Sequence, residues 1–256
     1  MIDLHCHILP GLDDGAATAE ETLALLRLAV ADGITHMVAT PHINPGYFDN
    51  KPATIQQALL DVRQLINVHQ LPIRLAAAAE VRLTDQLMPA LEMGLLPFLG
   101  SWQGQKVLLL ELPHSHVPAG TDKLLKWLAR HDVIAMIAHP ERNRDVQANF
   151  HCLAPLLRAG CLFQLTGSSL IGDLGARHQQ CVEYMVAQRL YHVVASDCHN
   201  LERRPPKLSA AVQRLTALVD ERYALDLALY HPQALVQDVN FASADSATAN
   251  LAGVML

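Results

Sequence analysis

Seven short apolar runs of strand length recur along the chain and alternate with longer segments of helical periodicity. The runs are Met1–Leu4, Ile34–Ala39, Arg74–Ala79, Lys106–Leu110, Val133–Ala138, Leu162–Leu165 and Tyr191–Ala195. Strands without a polar face are typical of parallel sheets that are covered by helices on both sides. The alternation therefore predicts an α/β fold in which helices connect parallel strands.

The first predicted helix shows how these connections are made. A capping box, Thr18-Ala19-Glu20-Glu21, opens an apolar helix that Gly33 closes. The remaining helices are predicted near Thr54–Gln70, Thr84–Leu91, Thr121–Arg130, Gln147–Ala159, Leu174–Gln188 and Lys207–Val219. A length of 256 residues fits one domain of this class, so we expect a single domain over residues 1–256, with residues 242–256 as a peripheral tail.

The composition excludes several other classes of protein. A hydrophobic content of 51% excludes a disordered chain, and a net charge of -6 opposes nucleic-acid binding through phosphates. No apolar run reaches the length of a membrane span, no basic segment with an apolar run opens the chain, and the five cysteines form no C-x-x-C pair. We therefore expect a cytoplasmic protein without membrane insertion. Its oligomeric state is left open, with Leu95–Phe98 and Ala224–Leu235 as candidate subunit contacts.

Potential metal ligands follow the predicted strands at the same end of each unit. They are His5, His7, Asp14, His42, Glu80, Glu111, His139, Asp197 and His199. The carboxyl ends of parallel strands converge in a barrel, so these residues become neighbours although they are distant in sequence. Residues i and i+2 of an extended segment point the same way, so each His or Asp pair around Cys6 and Cys198 faces this end. The other histidines, His178 among them, lack this placement and are interpreted as structural or surface residues.

The predicted ligands indicate metal-assisted hydrolysis. Imidazole and carboxylate ligands without thiolate suit Mn, Fe or Zn, and nine ligands are too many for one ion. A carboxylate such as Glu80 can bridge two ions that polarise a phosphoryl or carbonyl oxygen and activate a water. Arg142 and the pair Arg203-Arg204 follow the ligands His139 and His199, and guanidinium groups bind phosphate in a bidentate manner. The alternative is that these arginines are solvated loop residues paired with nearby acids, most of all at Arg203.

Six segments carry a family resemblance. They read LHCHILPGLDDGA, ATPH, AAAEVRL, LLLELP, IAHPERN and ASDCHNLERRPP, in order from the amino terminus to about Pro206. Together they resemble the PHP-domain protein tyrosine phosphatases of the CpsB/CapC type. The resemblance implies a distorted seven-stranded β/α barrel with its metal site at the carboxyl ends of the strands.

The resemblance also implies a trinuclear manganese site. One ion takes His5, His7, Glu80 and Asp197, a second shares Glu80 and adds Glu111 and His139, and a third takes Asp14, His42 and His199. Asp13 is an alternative to Asp14, and His114 an alternative to Glu111. Arg142 and Arg204 correspond to the arginines that hold the phosphate while a metal-activated hydroxide attacks phosphorus. The implied partner is a bacterial tyrosine autokinase of capsule or exopolysaccharide export, dephosphorylated on tyrosine.

The sequence also allows three rival interpretations. The segment from His151 to Arg158 fits the H-C-x5-R signature of cysteine-dependent phosphatases, but it lacks the glycines of a phosphate loop and has the leucine spacing of a helix. Another PHP activity, such as histidinol-phosphate hydrolysis, is the alternative function. A scaffold protein without turnover is the non-enzymatic alternative, although no predicted ligand is missing. Tyr47 and Phe48 are expected either to stack on the substrate ring or to pack on the rim.

Overall fold

The structure, a computed structural model, describes residues 1–241 of the chain. The predicted tail at residues 242–256 lies outside the described residues. The strands are β1 (Ile2–Cys6), β2 (His36–Ala39), β3 (His42–Asn44), β4 (Phe48–Asp49), β5 (Arg74–Ala77), β6 (Glu80–Arg82), β7 (Gly100–Trp102), β8 (Gln105–Glu111), β9 (Val133–Ile137), β10 (Leu162–Thr166) and β11 (Val193–Ala195).

Eleven α-helices lie within the same described range. They are α1 (Ala19–Ala31), α2 (Pro52–Val68), α3 (Leu87–Glu92), α4 (Thr121–Ala129), α5 (Arg144–Ala148), α6 (Leu153–Arg158), α7 (Gly167–Ile171), α8 (Ala176–Ala187), α9 (Ser209–Leu218), α10 (Glu221–Leu225) and α11 (His231–Leu235). Short 3₁₀ turns cover Pro140–Arg142 and Phe150–Cys152, and a π-helical turn covers Asp226–Tyr230. None of the helices in residues 1–241 combines the length and the apolar character needed to cross a membrane.

The seven predicted apolar runs all contain strands, with small shifts at their ends. The capping box is also confirmed, since the Thr18 side chain accepts a hydrogen bond from the Glu21 N–H at the start of α1. The predicted helix at 147–159 is wrong as one element. It is broken at Asn149, whose extended backbone and side-chain bond to the His151 N–H start a new turn before α6.

Two of the short strands, β3 and β6, each follow the preceding strand after a break of two residues. Thr40 and Pro41 separate β2 from β3, and the proline has no N–H to donate to a ladder. Ala78 and Ala79 separate β5 from β6. His42 and Glu80 therefore begin new strands, and these two residues lie opposite each other in the β3–β6 ladder.

The strands form a mixed arrangement of two sheets. One has the order β1-β2-β5, and the other has the order β11-β10-β9-β8-β6-β3-β4 with β7 paired to β8. All pairings are parallel except β3–β4 and β7–β8. The sheets meet where Cys6 bridges Cys198, and the His7 N–H donates to the Cys198 carbonyl at 2.8 Å. The fold is therefore α/β with a mixed sheet, and the ladders of residues 1–241 do not close into one barrel.

Alternate residues of the strands pack into two apolar cores, as expected for strands buried on both faces. Leu108 and Leu110 pack in a core with the helices, whereas Val107 and Leu109 pack in a second core with residues of other strands and of α11. In the candidate subunit contact at Ala224–Leu235, Leu227 and Leu235 are fully buried in these cores, whereas Tyr230 is 44% exposed. All five cysteines are free.

Candidate metal centre

The nine predicted ligands converge on one end of the strands. Their side chains form overlapping groups in which the potential ligand atoms lie within 4.8 Å of one another. The groups are His7/Asp14/His42/His199, His5/His7/Glu80, His5/His139/Asp197, Glu111/His114/His139 and His42/Glu80/Glu111. The sequence argument that strand ends bring distant residues together is therefore confirmed as geometry.

Glu80 lies at the centre of these groups and its side chain is almost fully buried. Its Oε2 atom lies 3.2 Å from His5 Nε2, 3.4 Å from His7 Nε2 and 3.1 Å from His42 Nδ1. Its Oε1 atom lies 2.8 Å from His139 Nε2. One carboxylate thus contacts four imidazoles from three segments of the chain, which is the position that a bridging ligand requires.

The two aspartates of the first loop have different surroundings. Asp14 Oδ1 lies 3.3 Å from His199 Nε2 and 3.5 Å from His42 Nε2, and the hydrogen bond with His199 holds the pKa of Asp14 below its ordinary value. Asp13 instead accepts hydrogen bonds from His7 Nδ1 at 2.7 Å and from the backbone N–H groups of Gly15 and His42. The geometry therefore places Asp14 among the potential ligand atoms and Asp13 behind His7.

Hydrogen bonds also fix the orientation of the first two imidazoles. His5 Nδ1 donates to Gln164 Oε1 at 2.9 Å, and the His7 Nδ1 bond to Asp13 plays the same part. Both Nε2 atoms then face Glu80 at the centre of the cluster and lie 3.1 Å apart. Gln164 also accepts the N–H of His139 at 3.1 Å. The sequence analysis missed Gln164, although a polar residue inside the apolar run Leu162–Leu165 is the signal that could have identified it.

Glu111 and His114 both lie near His139. The Glu111 side chain is mostly buried and its Oε1 atom lies 2.8 Å from Arg82 Nη1, whereas the side chain of His114 is 56% exposed. Burial, together with the charge of Glu80, raises the pKa of Glu111 to about 7. Glu111 thus contributes a buried carboxylate and His114 an imidazole at the rim. Arg82 was also missed, and its spacing of two residues from Glu80 on one strand is the signal for it.

Arg142 and Arg204 converge on the same oxygen of Asp197. Arg142 Nη1 lies 2.6 Å from Asp197 Oδ2, and Arg204 Nη2 makes a second close ion pair with that oxygen. Burial raises the pKa of Asp197, but Arg142, His5 and Arg204 together hold it well below its ordinary value. The interpretation of these two arginines as solvated loop residues is therefore wrong, whereas Arg203 is exposed at the surface. Two cations beside one carboxylate leave positive charge for an anionic substrate.

The chain turns sharply at two of the predicted ligands. His139 and Asp197 lie two residues after the ends of β9 and β11 and have φ values of 30° and 51°, in the left-handed region that residues with a Cβ atom avoid. Such strain is maintained only where the surroundings fix it, and here both side chains enter the cluster. The backbone also approaches closely at Gly15, where an added Cβ atom would lie 2.0 Å from the His7 carbonyl oxygen.

The residues present fit bound divalent cations. Several buried atoms of the cluster make no hydrogen bond to any residue within 1–241, and they are Glu80 Oε2, Asp197 Oδ1 and His42 Nδ1. Unpaired buried polar atoms are costly unless an ion or water satisfies them. Their chemistry, imidazole nitrogen with carboxylate oxygen, suits Mn, Fe or Zn.

The cysteine-dependent signature does not form a phosphate site. Cys152 ends a 3₁₀ turn and the following residues form α6, whose Leu153 and Leu156 side chains are buried. Burial raises the pKa of the Cys152 thiol, which opposes the thiolate that such a mechanism needs. Cys6 and Cys198 are fully buried in the core.

The two aromatic residues near the first loop differ in their packing. Phe48 stacks on the ring of His42 with a centroid distance of 5.4 Å and an interplanar angle of 13°. The side chain of Tyr47 is 82% exposed. Phe48 thus packs on the rim, whereas Tyr47 is available to a ligand.

Comparisons with known proteins identify the family of this chain. The family described as "Capsular polysaccharide synthesis, CpsB/CapC" matches residues 1–237. Tyrosine-protein phosphatase YwqE of Bacillus subtilis is 35% identical over 204 residues, covering 80% of this chain and 79% of that protein. Putative tyrosine-protein phosphatase CapC of Staphylococcus aureus is 32% identical over 205 residues, with 80% and 79% coverage.

A solved structure gives the same result at the level of the backbone. Its description names YwqE from Bacillus subtilis and CpsB from Streptococcus pneumoniae and calls them unique metal-dependent tyrosine phosphatases. It superposes with a TM-score of 0.87 at 31% identity and covers 94% of this chain and 96% of that one. With the match of the family over residues 1–237, these findings show that the chain belongs to the CpsB/CapC family.

Proposed function

We propose that this protein is a metal-dependent tyrosine phosphatase. The observation that carries the proposal is the cluster of nine potential ligands with Arg142 and Arg204 beside it. The similar proteins YwqE and CapC are named tyrosine-protein phosphatases, which supports the same activity here. A phosphate monoester dianion fits a site that combines cations with two guanidinium groups.

The nine residues divide into three ligand sets in our proposal. His5, His7, Glu80 and Asp197 hold one ion, Glu80 with Glu111 and His139 holds a second, and Asp14, His42 and His199 hold a third. Glu111 is preferred to His114 because its carboxylate is buried inside the cluster. Manganese is the proposed metal, with Fe or Zn as alternatives. Bound cations lower the pKa of water and neutralise charge on a phosphate.

Two arginines beside the cluster position the substrate. Arg142 and Arg204 bind the free oxygens of the phosphate, which competes for them with the Asp197 carboxylate. The departing phenolate has an ordinary pKa near 10, so it leaves without a strong general acid. Asp13 and Gln164 keep His7 and His5 in the orientation that the site needs.

The wider setting follows from the family. We propose a tyrosine autokinase of capsule or exopolysaccharide biosynthesis as the protein substrate, and the family description names capsular polysaccharide synthesis. A cytoplasmic location agrees with five free cysteines.

We further propose that residues 1–256 form a single domain whose two sheets act as a distorted seven-stranded barrel. In that arrangement β2 runs into β3 and β5 runs into β6, and the bridge from Cys6 to Cys198 places β1 beside β11.

Removal and return of the metal tests the activity. We expect hydrolysis of a phosphotyrosyl peptide to disappear after EDTA treatment and to return with Mn²⁺. His139→Ala removes a predicted ligand and should abolish turnover, whereas Cys152→Ser is the matched control that should retain it. Loss of activity in Cys152→Ser with indifference to EDTA would contradict the proposal. Turnover of histidinol phosphate without turnover of the peptide would favour the other PHP activity.

A further inference from the structure

A second cationic cavity opens beside the phosphate-binding arginine Arg142. Its volume is about 340 Å³, and it lies outside the cluster of nine potential ligands. Its lining consists of His114, Arg142, Arg144, Gln147, Arg177 and His178. No carboxylate is among these residues. The sequence analysis interprets His178 as structural or surface, but its place in this cavity gives it a different environment.

Hydrogen bonds hold two of the cavity's walls together. The Arg144 N–H donates to the His114 carbonyl at 2.8 Å, and Asn143 Nδ2 donates to the Pro113 carbonyl at 2.7 Å. Gln147 Nε2 donates to the Glu141 carbonyl at 2.7 Å. The loop after β8 is thus fixed to the start of α5, and the cavity is formed before any ligand arrives.

Of the three arginines that line the cavity, Arg142 pairs with Asp197, but the other two have no acidic partner among residues 1–241. Arg144 and Arg177 are exposed, and neither forms an ion pair with any residue of the described chain. Asp145 is the adjacent acid, and its Oδ2 atom accepts the N–H of Val117 at 3.0 Å. Burial lowers the pKa of His178, a backbone hydrogen bond at Leu174 opposes this, and the charges of Arg142 and Arg177 lower the pKa further, as expected if both guanidinium groups lie near its ring.

We propose that this cavity is a second anion subsite, which holds a carboxylate or phosphate of the substrate polypeptide close to its phosphotyrosine. The inference rests on the proposed function, because Arg142 then binds the phosphotyrosine phosphate at the edge of the same cavity. Arg144 and Arg177 supply guanidinium groups, which bind carboxylate and phosphate through paired hydrogen bonds. The volume lies at the lower end of the range of small-ligand sites, which leaves room for one anionic side chain.

A binding assay separates this subsite from catalysis. The probes are peptides with a non-hydrolysable phosphonomethyl analogue of phosphotyrosine, titrated calorimetrically into the Mn²⁺-loaded protein. The first peptide has neutral flanking residues, the second has aspartates in place of them, and the third carries a second phosphonate analogue. The proteins are the wild type, the double variant Arg144→Gln/Arg177→Gln, and Arg158→Gln as an exposed arginine remote from the cavity lining.

The wild type should bind at least one of the anionic peptides about 3- to 10-fold more tightly than the neutral one, since exposed ion pairs contribute modestly. The double variant should lose this preference and Arg158→Gln should keep it. The second and third peptides distinguish carboxylate from phosphate as the preferred anion. Equal affinity for all three peptides in the wild type, or an unchanged preference in the double variant, would overturn the subsite. Turnover of a phosphotyrosyl peptide is measured separately, so its absence would count against the proposed function without affecting the comparison of affinities.

Discussion

Asp13→Asn tests whether the hydrogen bond behind His7 sets the metal affinity of the site. The side chains of Asp13 and His7 are fully buried and their contact is 2.7 Å, so solvent screens little of the interaction. If the asparagine keeps its oxygen toward His7 and His42, its NH₂ group faces the Gly15 N–H. The substitution then removes the hydrogen bond from Gly15 and the negative charge of the carboxylate. Mutation of a residue that orients a metal ligand typically weakens metal binding about 10- to 100-fold, or about 1.4–2.8 kcal/mol.

Calorimetric titration of the EDTA-treated protein with Mn²⁺ measures this change. Asp49→Asn is the control, because Asp49 also accepts a loop N–H, that of Gly46 at 2.9 Å, but contacts no predicted ligand through that bond. Asp14→Asn should instead reduce the number of ions bound. An Asp13→Asn affinity within about twofold of the wild type would refute the orienting role. Loss of one whole ion in Asp13→Asn, with full occupancy in Asp14→Asn, would show that Asp13 is the ligand.

Three further changes have defined outcomes. Gly15→Ala should reduce both Mn²⁺ affinity and soluble yield, because the new Cβ atom meets the His7 carbonyl; wild-type affinity would contradict this reasoning. Burial, with the charge of His231, lowers the pKa of His192 to about 4. The folded state thus favours the neutral imidazole, so the free energy of unfolding is highest above pH 6.5 and falls by up to about 3 kcal/mol toward pH 4. Urea unfolding should show this fall, and His192→Asn should remove it. An equally steep pH profile in the variant would refute it. Tyr47→Ala should raise KM for a phosphotyrosyl peptide about 2- to 10-fold, and that for a small aryl phosphate less, if the exposed ring stacks on substrate. Equal effects on both substrates would exclude that contact.

Much of the fold was predictable because it follows local rules. Runs such as Val133–Ala138 are apolar at every position, and such residues are stable only when both faces of a strand are covered. The convergence of His5 with His139 followed from the direction of parallel strands rather than from any local motif. The division of the predicted helix at Asn149 was not predictable from apolar spacing, since it depends on a side-chain bond that competes with the helix.

The less predictable part of the site consists of residues that act through others. Gln164 and Arg82 contact the predicted ligands His5 and Glu111. Gln164 lies inside β10, and Arg82 ends β6, a short strand beyond the predicted run Arg74–Ala79. Asp13 and Asp14 are adjacent in sequence, so spacing could not distinguish their positions. The hydrogen bond from His7 Nδ1 distinguishes them in three dimensions.

Anomalous diffraction from crystals soaked in Mn²⁺ tests the central claim most directly, because it locates each ion independently of activity. The account predicts three manganese peaks, each beside one of the three proposed ligand sets, with Glu80 between two of them. In crystals of Glu80→Gln, the two peaks that share this residue should weaken or disappear while the peak at Asp14, His42 and His199 remains. Absence of any peak within the cluster of the wild-type protein would contradict the account.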